Sequence, residues 1–278
     1  MSARDRLDPA DLALIDVDVA DDGLSGRFEL VRGLVRHDGG LYGGTGLAVT
    51  VLAMQAASGR DVLWATTQFV GSASMGSLVE WRTDVLAEGR RSSQLMVTAW
   101  SGGALVFTGI GSAGIPSEDG LNGQYRPAPV ASPPETAPSW DSPSGARFPD
   151  SWGVILDMRE ATIEGDPSAT GLWVRRRDGV AFTPAGVAFA ADFVPLGIAR
   201  AAGKQGAGSS LDNSLRFGGE GGTEWMLLEI HGDFASGGYG HGTVRAWSQD
   251  GRLLASGSQT AAMRYLWAEG EMPLIPDG

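Results

Sequence analysis

Val97-Thr98-Ala99-Trp100-Ser101 returns about 145 positions later as Val244-Arg245-Ala246-Trp247-Ser248. Each copy runs into a turn signal and then an apolar stretch: Gly102-Gly103 before residues 104–107, and Asp250-Gly251 before residues 252–255. Gly-Gly and Asp-Gly supply the positive-φ positions that tight hairpins require, so each copy reads as part of a β-hairpin. A further tryptophan precedes each copy, Trp81 before Trp100 and Trp225 before Trp247. The spacing is too long for a solenoid repeat and fits the duplication of a whole domain.

Outward from these hairpins, the two halves show the same order of elements. Each opens with a Gly-flanked, apolar helical segment. In the first half this covers residues 43–57. In the second it starts at Thr183-Pro184, an N-cap residue followed by Pro at the first helical position, and runs through residues 185–191. Both segments are apolar nearly all round, which predicts burial on most sides. Strands of β-rich composition follow, over residues 63–70, 78–88, 92–101 and 104–111, then over 210–217, 225–232, 239–248 and 252–262. A buried helix ahead of an antiparallel meander predicts a sheet wrapped around the helix. Between the halves, eight of the 14 prolines fall from Pro116 to Pro149. Such a stretch favours extended backbone and builds no core of its own. The expected organisation is a first repeat over 1–114, a Pro-rich linker over 115–150, and a second repeat over 151–278.

Composition narrows the chemistry. The chain has no Cys, which excludes a disulfide scaffold, Cys-ligated metal and a cysteine nucleophile, and three His are too few for most His-rich metal sites. No metal and no cofactor are expected. A net charge of −12 argues against general affinity for nucleic acid or for an anionic membrane, and means that an anionic ligand needs a local basic patch. Arg175-Arg176-Arg177 and Arg90-Arg91 are the candidate patches. The longest weakly polar stretch, residues 46–57, falls well short of the roughly 20 residues of a membrane span. The first residues carry early acids and no apolar core of a signal peptide, so a cytoplasmic protein is expected.

Four stretches carry a family resemblance. Gly39-Gly40-Leu41-Tyr42-Gly43-Gly44 leads into the first helix. Ala190-Ala191-Asp192-Phe193-Val194-Pro195 places an acid shortly before a proline. Ser209-Ser210-Leu211-Asp212-Asn213-Ser214 opens a strand, and Asp250-Gly251-Arg252-Leu253-Leu254-Ala255-Ser256-Gly257-Ser258-Gln259 ends the chain's last hairpin. In this order they resemble the acyl-CoA thioesterase II family, from about Val31 to Arg264. The resemblance implies an α+β double hotdog: two tandem repeats, each with a central helix wrapped by an antiparallel sheet. It also implies an acyl-CoA substrate in fatty acid and lipid metabolism, and a homodimer or homotetramer. Carried across by motif, the family's water-holding Asp, hydroxyl residue and Gln are Asp192, Ser210 and Gln259. Two positions depart from the family pattern: the hydroxyl is Ser where Thr is usual, and Asn213 stands where His is usual. These departures keep a second reading open, a non-catalytic double hotdog that binds an acyl or other apolar ligand.

The residues themselves support this chemistry. Thioester hydrolysis needs an activated water, a polarised carbonyl and a slot for the acyl chain. Asp192 lies in the otherwise apolar run 187–194, where desolvation raises a carboxyl's pKa toward that of a general base. Its structural alternatives are a helix cap or a partner for Arg200. Ser210 and Gln259 can supply neutral hydrogen bonds. Gly43 and Gly44, with Gly46 and Gly186, let a substrate approach the backbone or let helix and sheet pack closely. Asp212, two residues after Ser210, is expected on the same strand face, either in the pocket or paired with Arg216. Asn213 and His241 are the remaining candidates for substrate contact, while His37 and His231 read as structural. The first half has no acid in its helix and carries Thr66 and Gly111 where the second has Ser210 and Gln259. One active site per chain is therefore expected, where the two repeats meet.

Overall fold

Residues 43–58 explain why the sheet must curve. The segment has no charged side chain and is apolar nearly all round, so no face suits water. In the computed structural model, which describes residues 2–117, 119–140, 151–219 and 222–267, this is helix α2 (Gly43–Ser58), after the short α1 (Pro9–Leu14). Thirteen of its sixteen residues are buried, which requires cover all round. Gly59, with φ of 62°, ends it in the left-handed conformation that favours glycine.

Among the described residues the cover is one antiparallel sheet of twelve strands. The first half contributes β1 (Asp18–Val19), β2 (Ser25–Glu29), β3 (Asp61–Phe69), β4 (Leu78–Glu88), β5 (Ser92–Ser101) and β6 (Ala104–Gly114). The second contributes β7 (Leu156–Ala161), β8 (Thr170–Arg176), β9 (Gln205–Phe217), β10 (Met226–Ser236), β11 (Tyr239–Ser248) and β12 (Leu253–Trp267). Their spatial order is β1-β2-β4-β5-β6-β3-β9-β12-β11-β10-β8-β7. Read from the centre outward, the halves repeat each other: β3 matches β9, β6 matches β12, β5 matches β11 and β4 matches β10. The antiparallel pair β3–β9, with Thr66 opposite Ser214, joins them into one sheet. This is the duplicated hotdog expected from the repeated hairpins. The edge strands β1, β2, β7 and β8 and the helix α1 were not anticipated.

The second half departs from the first in its central helix, which comes in two pieces. Helix α3 (Pro184–Ala190) is capped by Thr183, whose hydroxyl accepts the N–H of Gly186, and α4 (Val194–Ala201) follows after three turn residues. Pro195 explains the interruption. It has no N–H for the carbonyl of Ala191, and its ring crowds that carbonyl, so a continuous helix cannot pass. Asp192 lies in the break.

The described part of the Pro-rich segment is not a free tether. Trp173 Nε1 donates to the Ser132 carbonyl at 2.7 Å, Arg159 to the Pro134 carbonyl at 2.7 Å, and the Trp140 N–H to the Met158 carbonyl at 2.9 Å. Ala137 is buried in a small second core with Ile163, Trp173, Trp225, Leu227 and Trp247, and Ala128 and Ala131 pack against it. The segment therefore lies as a strap along β7 and β8. Pro143 and Pro149 lie outside the described residues. Among the described residues no helix is long and apolar enough to cross a membrane.

Candidate active site

The break between α3 and α4 places the Asp192 carboxyl against the start of α2, the inner face of β9 and the inner face of β12. Three side chains donate to one of its oxygens, Oδ1: Gln259 Nε2 at 2.6 Å, Asn213 Nδ2 at 2.9 Å and Ser210 Oγ at 3.4 Å. Gln259 Nε2 also donates to Ser210 Oγ at 2.7 Å, which ties the hydroxyl to the amide. An ionised carboxylate only accepts, so both amides turn their NH2 groups toward it. That leaves Asn213 Oδ1 and Gln259 Oε1 buried without a hydrogen-bond partner among the described residues. Asp192 is 7% exposed, and Asn213 and Gln259 are fully buried. Desolvation pushes the Asp192 carboxyl up to about 6, against the opposing pull of hydrogen bonds from Asn213, Gln259, the Gly44 backbone and Ser210.

A β-bulge makes this convergence possible. Ser210 and Asn213 are three apart, and on a regular strand they would face opposite sides of the sheet. The pairing of β9 with β12 shifts register between Ala261, opposite Ser210, and Thr260, opposite Asp212, which leaves Leu211 as the extra residue. The shift reverses the alternation, and both Ser210 and Asn213 reach Asp192. Two expected placements differ. Asp212 does not share the face of Ser210; its carboxylate accepts the backbone N–H of Thr260 at 3.0 Å, and it pairs neither with the pocket nor with Arg216. Thr66 is not the inward hydroxyl of the first half. It bonds Ser214 across the seam at 2.8 Å, and Thr67, one residue on, is the buried one.

His241 is also corrected. On β11 the inward residues are Gly240 and Gly242, which pack against Ile198 and Val194 of α4. His241 therefore projects from the other face, where Nδ1 lies 3.3 Å from Thr260 Oγ1 and the ring 5.7 Å from that of Phe234. Arg200 pairs with Glu160 rather than with Asp192. The His37 ring lies 5.5 Å from that of Trp152, tilted by 57°, and His231 lies 3.2 Å from Glu229.

The two glycines at the start of α2 have different parts. A Cβ on Gly43 would stand 2.5 Å from Asp192 Oδ2 and 2.9 Å from Ser210 Oγ, so only glycine leaves the polar side of the site clear. A Cβ on Gly44 would stand 2.1 Å from the Phe189 carbonyl oxygen, so this residue sets the close approach of α2 and α3. Gly46 and Gly186 are packing positions, against Phe69 and Phe182. A cavity of about 320 Å³ opens beside Gly43 and Ser210, walled by Leu41, Phe69, Ser209 and Arg264 among others.

The first half has no counterpart. Its helix runs unbroken, and the matching space holds two hydroxyls, with Thr67 Oγ1 donating to Thr50 Oγ1 at 2.9 Å and Thr50 Oγ1 to the Gly46 carbonyl at 2.9 Å. A Cβ at Gly111 would meet Met54 Sδ at 2.7 Å, so no room remains for a side chain like Gln259.

Of the candidate basic patches, residues 175–177 are engaged in the structure and residues 90–91 lie far from the site. Arg175 pairs with Asp157 at 2.8 Å and Glu224 at 3.2 Å and lies 4.7 Å from the centre of the Trp225 ring. Arg176 is buried, pairs with Asp178 at 2.5 Å and donates to the Ala10 carbonyl. Arg177 donates to the Gly153 carbonyl. Arg90 and Arg91 lie in the β4–β5 turn, at the end of the sheet where Ser92 and Asp61 both pair with Gly114. That end is about 26 Å along β3 from Phe69.

The comparisons agree with this architecture. Residues 35–114 match the acyl-CoA thioesterase N-terminal domain and residues 127–263 the acyl-CoA thioesterase C-terminal domain. A protein of Novosphingobium aromaticivorans assigned as a thioesterase superposes with a TM-score of 0.81 at 30% identity, over 93% of this chain and 100% of that one. Acyl-CoA thioesterase II TesB2 of Mycobacterium marinum shares the fold with a TM-score of 0.70 at 20% identity, over 94% and 100%. A hotdog-fold protein of Alicyclobacillus acidocaldarius gives 0.77 at 20% identity, over 93% and 99%. No curated protein matches the chain.

Proposed function

We propose, from the premise that this chain belongs to the acyl-CoA thioesterase family and is a thioester hydrolase, that it hydrolyses an acyl-CoA to the free acid and CoA through Asp192, Ser210 and Gln259, with Asn213 as a fourth member. One observation carries this reading: three neutral donors converge on Oδ1 of a buried carboxylate whose Oδ2 faces Gly43 at the edge of a cavity. The donors hold the carboxylate in place while desolvation keeps it basic, the balance a general base requires.

In this mechanism Asp192 Oδ2 takes a proton from water as the water oxygen bonds to the thioester carbonyl carbon. The carbonyl electron pair moves onto its oxygen. Gly43 N–H, in the first turn of α2 where N–H groups lack intrahelical acceptors, stabilises that charge. Ser210 and the buried Oε1 of Gln259 orient the water. When the tetrahedral intermediate collapses, the C–S bond breaks and the leaving sulfur takes the proton back from Asp192. Atoms and charge balance without a covalent enzyme intermediate.

The test is thiol release from a ladder of acyl-CoAs, short to long and including aromatic acyl groups, with Asp192→Asn in parallel. Turnover that disappears in the variant supports the assignment. Undiminished turnover in the variant overturns it, and binding without turnover across the ladder favours a ligand-binding double hotdog.

A further inference from the structure

The substrate's anionic end has no partner among the arginine runs, because Arg175, Arg176 and Arg177 are engaged elsewhere and Arg90 and Arg91 lie at the far end of the sheet. The cavity beside Ser210 supplies one. Two arginines line it, Arg36 and Arg264, together with Ser72 and Ser209. Arg36 is neutralised by Asp38, which it grips through Nη2 at 2.8 Å and Nε at 3.1 Å. Arg264 is exposed, and among the described residues no carboxylate lies within ion-pair distance of it. In a chain of net charge −12 an unpaired cation on a cavity wall is an unusual resource.

A second bulge aims it. The pairing of β12 with β9 passes from Ala262 opposite Ser209 to Tyr265 opposite Ala207, so Met263 and Arg264 together face the single residue Gly208. Two residues against one turns side chains away from strict alternation, and here it brings Arg264 onto the wall that Ser209 and Ser210 share. From Gln259 to Arg264 along β12 is about 16 Å. An extended pantetheine arm, from thioester sulfur to phosphate, is roughly as long as five residues of extended chain. The acyl carbon at Gln259 and the phosphate at Arg264 therefore fit one substrate lying along β12.

We propose that Arg264 binds the phosphate at the end of a phosphopantetheine arm, with Ser209 and Ser72 as hydroxyl donors beside it. This rests on the thioesterase reading of Asp192. The phosphate is common to CoA and to the prosthetic arm of an acyl carrier protein.

The experiment compares kcat/KM for an acyl-CoA, the same acyl group on a carrier protein, and the same acyl-pantetheine, which lacks the phosphate, in wild type and Arg264→Gln. Loss of one charge-assisted contact is expected to lower the ratio of phosphate-bearing substrate to acyl-pantetheine about tenfold, through KM. A fall for acyl-CoA identifies CoA as the source, and a fall confined to the carrier protein identifies the carrier. An unchanged ratio, or an equal loss on acyl-pantetheine, overturns the proposal. Calorimetry of free CoA, the phosphopantetheine-bearing carrier protein and free pantetheine on the same two proteins reads the contact without turnover. There binding of the phosphate-bearing ligand, CoA or the phosphopantetheine-bearing carrier protein, is expected to weaken about tenfold in Arg264→Gln and pantetheine binding to stay the same; equal binding of both CoA and the carrier protein by the two proteins overturns the proposal even if neither hydrolyses anything.

Discussion

Each central helix of the molecule begins against a buried carboxyl group contributed from elsewhere in the chain. At α2 the group is Asp192, and at α3 it is Asp11, which accepts from the Thr183 hydroxyl and the Gly186 backbone. Desolvation pushes both up to about 6. Their surroundings differ. Asp192 has three side-chain donors on one oxygen and a cavity next to Gly43 on the other side. Asp11 is fully enclosed, its Oδ2 has no hydrogen-bond partner among the described residues, and the Arg176 charge nearby partly offsets its burial. A raised pKa alone does not make a site. What separates the two is a shell of three neutral side-chain donors and a cavity beside it.

The helices teach the same lesson. Without a proline, α2 runs through and leaves its half filled by Thr50, Thr67 and Met54. Pro195 splits the other helix, and the carboxyl in the gap meets partners from two strands. Duplication supplied two equivalent frames, and one break in one of them made the difference.

Four substitutions probe this contrast, from the largest effect to the smallest. Asp192→Asn should lower kcat for thioester hydrolysis by roughly 10²–10⁴-fold, because the amide cannot take a proton from water. Its melting temperature at pH 8 should be at least that of wild type, because a desolvated charge is removed. Gln259→Ala removes hydrogen bonds to both Asp192 and Ser210, and a loss in kcat on the order of 10²-fold is expected. Asn213→Ala deletes a donor that lowers the Asp192 pKa, so the acid limb of kcat/KM should move to higher pH while turnover persists at pH 8. Asp11→Asn should leave the pH–rate profile in place and act only on stability. A carboxyl raised from 3.8 to about 6 in the fold contributes stability that is fully present below 3.8 and is lost as pH rises through 6. Melting temperatures measured from pH 4 to pH 7 should therefore fall less steeply in the variant than in wild type.

Much of this was legible in the residues. The repeated Val-x-Ala-Trp-Ser hairpins announced the duplication, the apolar segments at 43–57 and 185–191 announced the buried helices, and the acid before Pro195 announced the one asymmetric position. What escaped was whatever depends on strand register. A bulge at Leu211 has no signature in composition, yet it turns Ser210 and Asn213 to the same side and removes Asp212 from the pocket. His241 was misplaced for a related reason: its neighbours Gly240 and Gly242 are the inward residues, because α4 packs too close for larger side chains. The edge strands escaped because β1 has only two residues and β8 ends in the arginine run that resembled a basic patch. Arg264, one of the two arginines that line the cavity, is a single residue in a bulge and carries no motif.

The most direct measurement of the central claim is kcat/KM for acyl-CoA hydrolysis by the wild-type protein across pH 4.5 to 8. If Asp192 is the base, the rate should be level above about pH 7 and fall about tenfold per pH unit below about 6, as the carboxylate takes up its proton. A rate that stays level down to pH 4.5 would contradict it.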